Sequence, residues 1–254
     1  MLGTHLPMCY HNRSCFPRMQ QNIQVFKWTE SMYIVSEVSR FLCKQLNINL
    51  LEELHKLGEV PLMTAGTDQL SIVHKLLYKE FDKGDQSSLV QLYQQLAETA
   101  CEDLIKNSQF SEWAYQRFPS IRVHFPGNVS VFEFHRDSDY NHPLGEINHF
   151  LAITDCYNTA ALWVEKNLGW NDVEPLNLNK GDLARLNTSV WLHGDRINNE
   201  SYTRISMDFR CIPVSAIGSS KDKHSITKNI RFSTDAYFKV AGSKGPSVTS
   251  NTTA

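Results

Sequence analysis

The chain carries two histidines and an aspartate in an order that suits a metal site. His135 and Asp137 lie two residues apart in segment 131–140, where apolar and polar residues alternate before the acids begin. His193 stands before a glycine in segment 190–194. Side chains two apart on a strand share a face, so the His-x-Asp pair can offer an imidazole and a carboxylate to one ion. Two histidines and one carboxylate leave coordination positions open and are typical of non-haem Fe(II) oxygenases.

A dense polar face follows His193. Arg204 comes eleven residues later, and alternation predicts that Ser206, Asp208 and Arg210 share its face. The apolar residues between them would face the opposite way, into a core. A buried guanidinium is suited to gripping a carboxylate through two parallel hydrogen bonds, and Ser206 can add a hydroxyl donor.

These motifs together resemble the 2-oxoglutarate-dependent Fe(II) dioxygenases, and more narrowly the StrG-like group. The resemblance covers residues 120–213 and includes the stretches 123–127, 134–148 and 203–210. It implies a mainly β fold: a double-stranded β-helix, or jelly-roll (cupin-like), core with N-terminal flanking helices, α+β overall.

The resemblance also implies roles for individual residues. His135, Asp137 and His193 would bind Fe(II), while Arg204 and Ser206 would bind the distal carboxylate of the co-substrate 2-oxoglutarate. The family uses O₂, releases succinate and CO₂, and oxidises a second substrate. Halogenating relatives lack the carboxylate ligand, so the aspartate favours hydroxylation, with desaturation, ring closure and epimerisation left open. Asn148 on a following strand is a further candidate contact to 2-oxoglutarate.

Several neighbouring residues are alternatives for these roles. Arg210 shares the face of Arg204 and could grip the co-substrate instead, and His142 and His149 could be metal ligands. Other carboxylates could replace Asp137, although none has the His-x-Asp spacing: Glu133, Asp139, Glu146, Glu165 and Asp208.

The predicted strands carry more polar residues than a metal and 2-oxoglutarate would need, and this surplus indicates the kind of substrate. An acidic cavity would favour a small polar metabolite, such as an amino acid or an aminocyclitol, and five residues are candidates for contacting it: Glu133, Asp139, Glu146, Glu165 and Arg210. The alternative is that these acids form structural ion pairs with Arg122, Arg136, Arg185 and Arg210. A peptide hydroxylase and a non-catalytic cupin-like binding protein are the competing functions.

The elements that must position these residues divide the chain into two halves. Apolar spacing predicts helices over 31–46 and 50–57, a helix capped at Thr67, and a longer helix capped at Asp85 or Ser87. After residue 120 the period changes to that of strands, predicted over 120–125, 129–135, 146–153, 161–165, 182–187 and 203–212. We therefore predict one domain with four parts: an extension (1–30), a helical flank (31–118), a jelly-roll core (119–241) and a disordered tail (242–254).

Composition narrows the class of protein. The 254 residues are 41% hydrophobic with a net charge of -2, which argues against a general nucleic-acid binder. No apolar run approaches the roughly 20 residues that a membrane helix needs. Six scattered cysteines without a CxxC pair fit a reducing, cytoplasmic compartment. The acid-free first 29 residues leave an organelle transit peptide as an alternative, and the oligomeric state stays open, a homodimer being one option.

Overall fold

The computed structural model describes residues 22–58, 60, 62, 67, 69–131, 133–218, 223–226 and 229–242. Most of the predicted N-terminal extension, residues 1–21, and the predicted tail after Gly242 therefore lie outside the described residues.

The helices lie mainly in the first half of the chain, as predicted. They are α1 (Thr29–Leu46), α2 (Ile72–Phe81), α3 (Ser88–Asn107) and the short α4 (Val214–Ile217), and four 3-10 segments accompany them (Leu51–Leu57, Gly84–Gln86, Asp137–Tyr140, Asn158–Ala160). The Ser87 hydroxyl caps α3 by accepting from the N–H groups of Leu89 and Val90. The cap predicted at Thr67 is wrong, because α2 begins later and Ser71 caps it. Within the described residues, no helix is both long and apolar enough to cross a bilayer.

In the part of the chain that the structure describes, ten strands form two antiparallel sheets. They are β1 (Gln24–Phe26), β2 (Trp113–Gln116), β3 (Ser120–His124), β4 (Ile147–Ala152), β5 (Leu162–Glu165), β6 (Val173–Leu176), β7 (Leu183–Leu186), β8 (His193–Gly194), β9 (Arg204–Pro213) and β10 (Phe238–Val240). The larger sheet has the order β1-β7-β4-β9-β2-β10, and β3 pairs with the first half of β9. The smaller sheet has the order β6-β5-β8. This arrangement, with helices on one side, confirms the predicted jelly-roll class.

Strand β9 organises the molecule because both of its faces are buried. Ile205, Met207 and Phe209 belong to the hydrophobic core that the helices cover. Tyr93 of α3 meets the Phe209 ring edge-on, with centroids 5.7 Å apart. The alternation predicted for this segment is therefore present, and its polar residues turn away from the helices.

A second, smaller apolar cluster lies between the two sheets. Phe150 and Leu186 from the larger sheet pack there with Leu162 and Val164 from the smaller one. The polar face of β9 looks toward this layer, so arginines and acids are buried beside apolar side chains. The sandwich thus places the charged groups where water is largely excluded.

Two sequence predictions fail in the β half. The strand predicted over 129–135 is wrong, since the described residues of this stretch form a loop with one isolated bridge at His135. The prediction missed β1, β2, β6, β8 and β10, which are short or only partly apolar. Strands β1 and β2 join the larger sheet although they precede the predicted start of the core.

The Ser87 cap gives a test of the helical flank. Replacing Ser87 with Ala removes the acceptor for two backbone N–H groups, so the free energy of unfolding should fall by about 1 kcal/mol. Urea denaturation of Ser87→Ala against Ser88→Ala measures it, because the exposed Ser88 hydroxyl bonds only the Glu37 carboxylate. Equal stability of the two variants would contradict the capping role.

Candidate metal centre

Backbone hydrogen bonds pair the two histidines that could bind a metal. The N–H of His135 donates to the carbonyl of His193 at 2.9 Å, and the reverse bond is 3.0 Å. The two imidazole centroids are consequently 4.5 Å apart. A loop residue and a strand residue are thereby held side by side, even though the predicted strand at His135 is absent.

Each of these imidazoles has a fixed tautomer. Nδ1 of His135 lies 2.8 Å from the carbonyl of Glu133, and Nδ1 of His193 lies 3.1 Å from the carbonyl of Trp191. A carbonyl only accepts, so Nδ1 carries the proton in both rings. Each Nε2 therefore keeps its lone pair, as a metal-binding imidazole requires.

Asp137 is the third candidate metal ligand, and hydrogen bonds from neighbouring side chains hold one of its two carboxylate oxygens. Its Oδ2 accepts from the Thr188 hydroxyl at 2.5 Å and from Arg210 at 2.9 and 3.0 Å. Its Oδ1 lies 3.7 Å from Nε2 of His135 and 3.8 Å from Nε2 of His193. The three candidate ligand atoms are all within 4.8 Å of one another, which lets one ion reach them together.

The protonation states suit a divalent cation. Burial lowers the pKa of His193 to about 4, so this imidazole is neutral at neutral pH. Burial alone would raise the pKa of Asp137, but Arg210 and the neighbouring histidines hold it well below its usual value. Neutral imidazoles and an ionised carboxylate are the forms that bind metal without first releasing protons.

A close backbone approach explains the glycine after His193. A Cβ on Gly194 would lie 2.9 Å from the Cα of Phe134, closer than real Cβ contacts. Only glycine lets the loop before His135 come this near to β8. The His-Gly pair in the sequence is thus a packing requirement of the metal centre.

A cavity of about 30 Å³ adjoins the two histidines. His135 and His193 line it together with Asn148 and Arg204. Asn148 is 4% exposed, and its Oδ1 has no hydrogen-bond partner among the described residues. A buried polar atom of this kind normally finds a partner, so the amide fits a site that takes a polar ligand.

Arg204 is 1% exposed and already has several partners. Its Nε donates to the carbonyl of Ala160 at 2.9 Å, and its Nη1 donates to the Ser206 hydroxyl at 2.9 Å. Its Nη2 donates to Oδ1 of Asp195 at 2.7 Å and lies 3.3 Å from Nδ1 of His124. The guanidinium is therefore fixed at the cavity wall by the chain itself.

The structure does not gather the predicted substrate residues into one acidic surface. Glu133 and Asp139 are exposed, and Asp139 accepts from the backbone N–H of Arg136. The fully buried Glu165 accepts from the backbone N–H groups of Asn171 and Leu192 and from the Arg136 guanidinium.

The remaining substrate candidates, Glu146 and Arg210, lie in buried contacts, as does the alternative metal ligand Asp208. Glu146 accepts from His142 at 2.8 Å, and it lies 3.6 Å from Arg210. Arg210 lines the cavity but bonds Asp137. Asp208 lies 3.4 Å from both Arg122 and Arg210. The structural ion-pair interpretation therefore accounts for these acids better than an acidic surplus does.

The two alternative metal ligands have other surroundings. His142 is hydrogen-bonded to Glu146 and packs against Phe232, with the two ring centroids 4.8 Å apart. His149 is fully buried on the helical side, stacked on Phe209 and accepting from Arg185. Neither histidine belongs to the metal-competent group, which is His135, Asp137 and His193.

Sequence reasoning missed Thr188 and Asp195. Asp195 lies two residues after His193, so strand alternation could have placed both on one face. Thr188 follows β7 in a turn, and nothing in its local sequence marks it as a partner of Asp137. Its position depends on the path of the whole sheet.

The chain is similar in sequence to the streptomycin biosynthesis protein StrG of Streptomyces griseus. The two are 32% identical over 123 residues, which is 48% of this chain and 58% of StrG, so the chain spans little more than half of that relative. This match confirms the resemblance to the StrG-like group. No protein-family model matches the chain.

Two solved structures are also similar to parts of this chain. One is the non-haem α-ketoglutarate-dependent carbocyclase SnoK from nogalamycin biosynthesis (TM-score 0.43, 12% identity, 77% of this chain and 81% of SnoK). The other is a prolyl-4-hydroxylase of Pseudomonas putida (TM-score 0.46, 8% identity, 76% of this chain and 92% of the hydroxylase).

The bond from Thr188 to Asp137 predicts a loss of metal affinity when the hydroxyl is removed. Thr188→Val should weaken Ni(II) binding by about 10- to 100-fold, because the outer oxygen of the carboxylate loses a short donor. Calorimetric titration measures the affinity, and Thr188→Ser, which keeps the hydroxyl, should bind nearly as tightly as the native protein. Native affinity in Thr188→Val would show that the bond does not orient Asp137.

The contact at Gly194 predicts a second effect on the same site. Gly194→Ala should weaken Ni(II) binding by roughly tenfold or more, since the added methyl pushes the Phe134 loop, and His135 with it, away from β8. Gly218→Ala is the control for the added methyl itself, because its backbone has the αR conformation that any residue adopts and the nearest atom to its Cβ position is 3.8 Å away. A Gly194→Ala protein that binds Ni(II) normally would contradict this packing argument.

Proposed function

We propose that the chain is an Fe(II)- and 2-oxoglutarate-dependent oxygenase that hydroxylates a small polar metabolite. The observation that carries the proposal is the convergence of Nε2 of His135, Oδ1 of Asp137 and Nε2 of His193 beside a cavity. Two imidazoles and one carboxylate form the donor set of non-haem Fe(II) oxygenases. The match to StrG supports the same class.

The chain's own residues would prepare the metal and hold the co-substrate. His135, Asp137 and His193 would bind Fe(II) through the three free atoms, while Thr188 and Arg210 keep the other carboxylate oxygen turned away. Fe(II) with 2-oxoglutarate and O₂ supplies the oxidising chemistry, with succinate and CO₂ as products.

The other end of the co-substrate needs a charged partner deeper in the cavity. Arg204 and Ser206 would hold the distal carboxylate there, and the Asn148 amide would contact the same ligand. Supporting this, Arg204 and Asn148 line the cavity with both histidines, and Ser206 lies against the guanidinium.

We assign the substrate to small molecules rather than to peptides. The name of the relative places it in the biosynthesis of streptomycin, itself a small molecule. The two buried acids that were expected to contact the substrate, Glu146 and Glu165, each lie against an arginine. The proposal therefore extends to polar metabolites in general, amino acids and aminocyclitols among them. A screen for succinate release over amino acids, aminocyclitols and peptides, with Fe(II) and ascorbate, distinguishes these classes.

Removing an imidazole should abolish turnover and leave the fold intact. His135→Ala and His193→Ala should each lose succinate release from 2-oxoglutarate and bind Ni(II) far more weakly, because two ligands hold the ion less well than three. His224→Ala, at an exposed histidine, is the control and should behave as the native protein does. Retained iron and turnover in His193→Ala would contradict the metal assignment and leave a non-catalytic binding protein as the better description.

The choice between the two cavity arginines can be tested by binding. Arg204→Ala should weaken 2-oxoglutarate binding to the metal-loaded protein by at least about tenfold, since a charge-assisted contact is lost and Asp195 remains unpaired. Arg204→Lys should weaken it less, because the charge is kept. Arg210→Ala should chiefly weaken metal binding, through Asp137. If Arg204→Ala binds 2-oxoglutarate normally while metal-saturated Arg210→Ala does not, Arg210 is the anchor.

A further inference from the structure

Asp195 lies against the guanidinium that would bind the co-substrate. Its side chain is fully buried, and its Oδ1 is 2.7 Å from Nη2 of Arg204. Its Oδ2 accepts a short hydrogen bond from the Ser130 hydroxyl. Both oxygens of the carboxylate are thus held, and Asp195 itself lines the cavity.

The other partners of Arg204 leave its positive charge uncompensated. Ala160 and Ser206 contribute a carbonyl and a hydroxyl oxygen. Nε2 of His124 faces the carbonyl of Asn128 at 2.9 Å, so it carries the proton and Nδ1 accepts from Arg204. Burial lowers the pKa of His124 to about 4, which keeps this ring neutral.

Asp195 is therefore the anionic group that touches Arg204 among the described residues. Burial alone would raise the pKa of Asp195, but the charge of Arg204 brings it below its usual value. The pair has the geometry of a complete buried ion pair, in which each charge offsets the desolvation of the other.

The geometry leaves little of the guanidinium for a ligand. An arginine has five N–H groups, and four of those on Arg204 already have the partners named above. They are the one on Nε, one of the two on Nη1 and both on Nη2. One N–H on Nη1 remains, next to the Ser206 hydroxyl. A cavity of about 30 Å³ has room for roughly one or two water molecules, so a five-carbon diacid must displace groups that occupy this region.

We propose that Asp195 is an internal counter-ion that competes with the distal carboxylate of the co-substrate for Arg204 and so sets the affinity for 2-oxoglutarate. The proposal rests on the proposed function, because it concerns the same co-substrate. A carboxylate on Nη1 and Ser206 would stand close to the charge of Asp195, and a carboxylate on Nη2 would have to replace it. In either position Asp195 weakens the interaction, and its loss would strengthen it.

Asp195→Asn separates this role from a purely structural one. The amide keeps the size of the side chain and an oxygen that accepts from Arg204, but it removes the negative charge. Without that charge Arg204 is buried and unpaired until a ligand carboxylate arrives, so the ligand gains what the apoprotein lost. A residue needed only to orient Arg204 would show the opposite result, a weaker complex.

The experiment titrates Ni(II)-loaded protein with two 2-oxo acids by calorimetry. 2-Oxoglutarate carries the distal carboxylate, and 2-oxobutanoate is the same acid without it. Asp195→Asn should bind 2-oxoglutarate at least about tenfold more tightly than the native protein and bind 2-oxobutanoate within about threefold of it. Asp155→Asn makes the same charge change at an exposed site and should leave both affinities native.

The outcomes separate the inference from the proposed function. If the native protein binds 2-oxoglutarate but Asp195→Asn binds it no more tightly, or gains equally for both acids, the counter-ion role is wrong and the proposed function stands. If the Ni(II)-loaded native protein binds neither acid, the proposed function fails and the inference fails with it. Should Asp195→Asn not fold, the native protein decides: a preference for 2-oxoglutarate over 2-oxobutanoate of about two- to tenfold supports the counter-ion, and a larger preference, or none, overturns it.

Discussion

The candidate metal centre depends on two peptide hydrogen bonds, those exchanged by His135 and His193. They set the separation of the imidazoles through the backbone, which is stiffer than any contact between side chains. Each ring is then turned by its own Nδ1–H, and the carbonyl that accepts lies two residues earlier in both cases. Asp137 is held by a further backbone hydrogen bond, from its N–H to the carbonyl of Thr188. Main-chain contacts thus bring the loop at His135 and Asp137 against the segment 188–193, and the side chains of Thr188 and Arg210 then orient the carboxylate.

The candidate site also depends on the pairing of buried charges, because the polar face of β9 lies beside apolar side chains. Arg204 contacts Asp195, and Arg210 contacts Asp137. Removing one member of such a pair leaves a buried charge without compensation, which costs far more than the pair contributes when intact. The arginines and acids of the cavity therefore have to be understood together.

The sequence predicted the two faces of β9 better than the course of the backbone around His135. Strict alternation in β9 survives in the structure because one face of this strand meets the helices and the other meets the cavity. The loop at His135 could not be predicted in the same way. Its residues alternate as a strand does, but their only ladder partner in the described chain is the two-residue strand at His193, a contact distant in sequence. The short strands failed for a similar reason, since their two to four residues carry too little periodicity to be distinguished from loops.

The pairing of β1 with β7 bears on the order in which the protein folds. Gln24 lies opposite Arg185 in this ladder, and β4 separates β7 from β9. Contacts so far apart in sequence close large loops, which makes them slow to form. The three candidate ligands come together only after β7, β8 and β9 have found their places, so metal would be captured by a nearly complete sheet. The metal would then act late in folding, adding its binding free energy to a structure that the chain has already built.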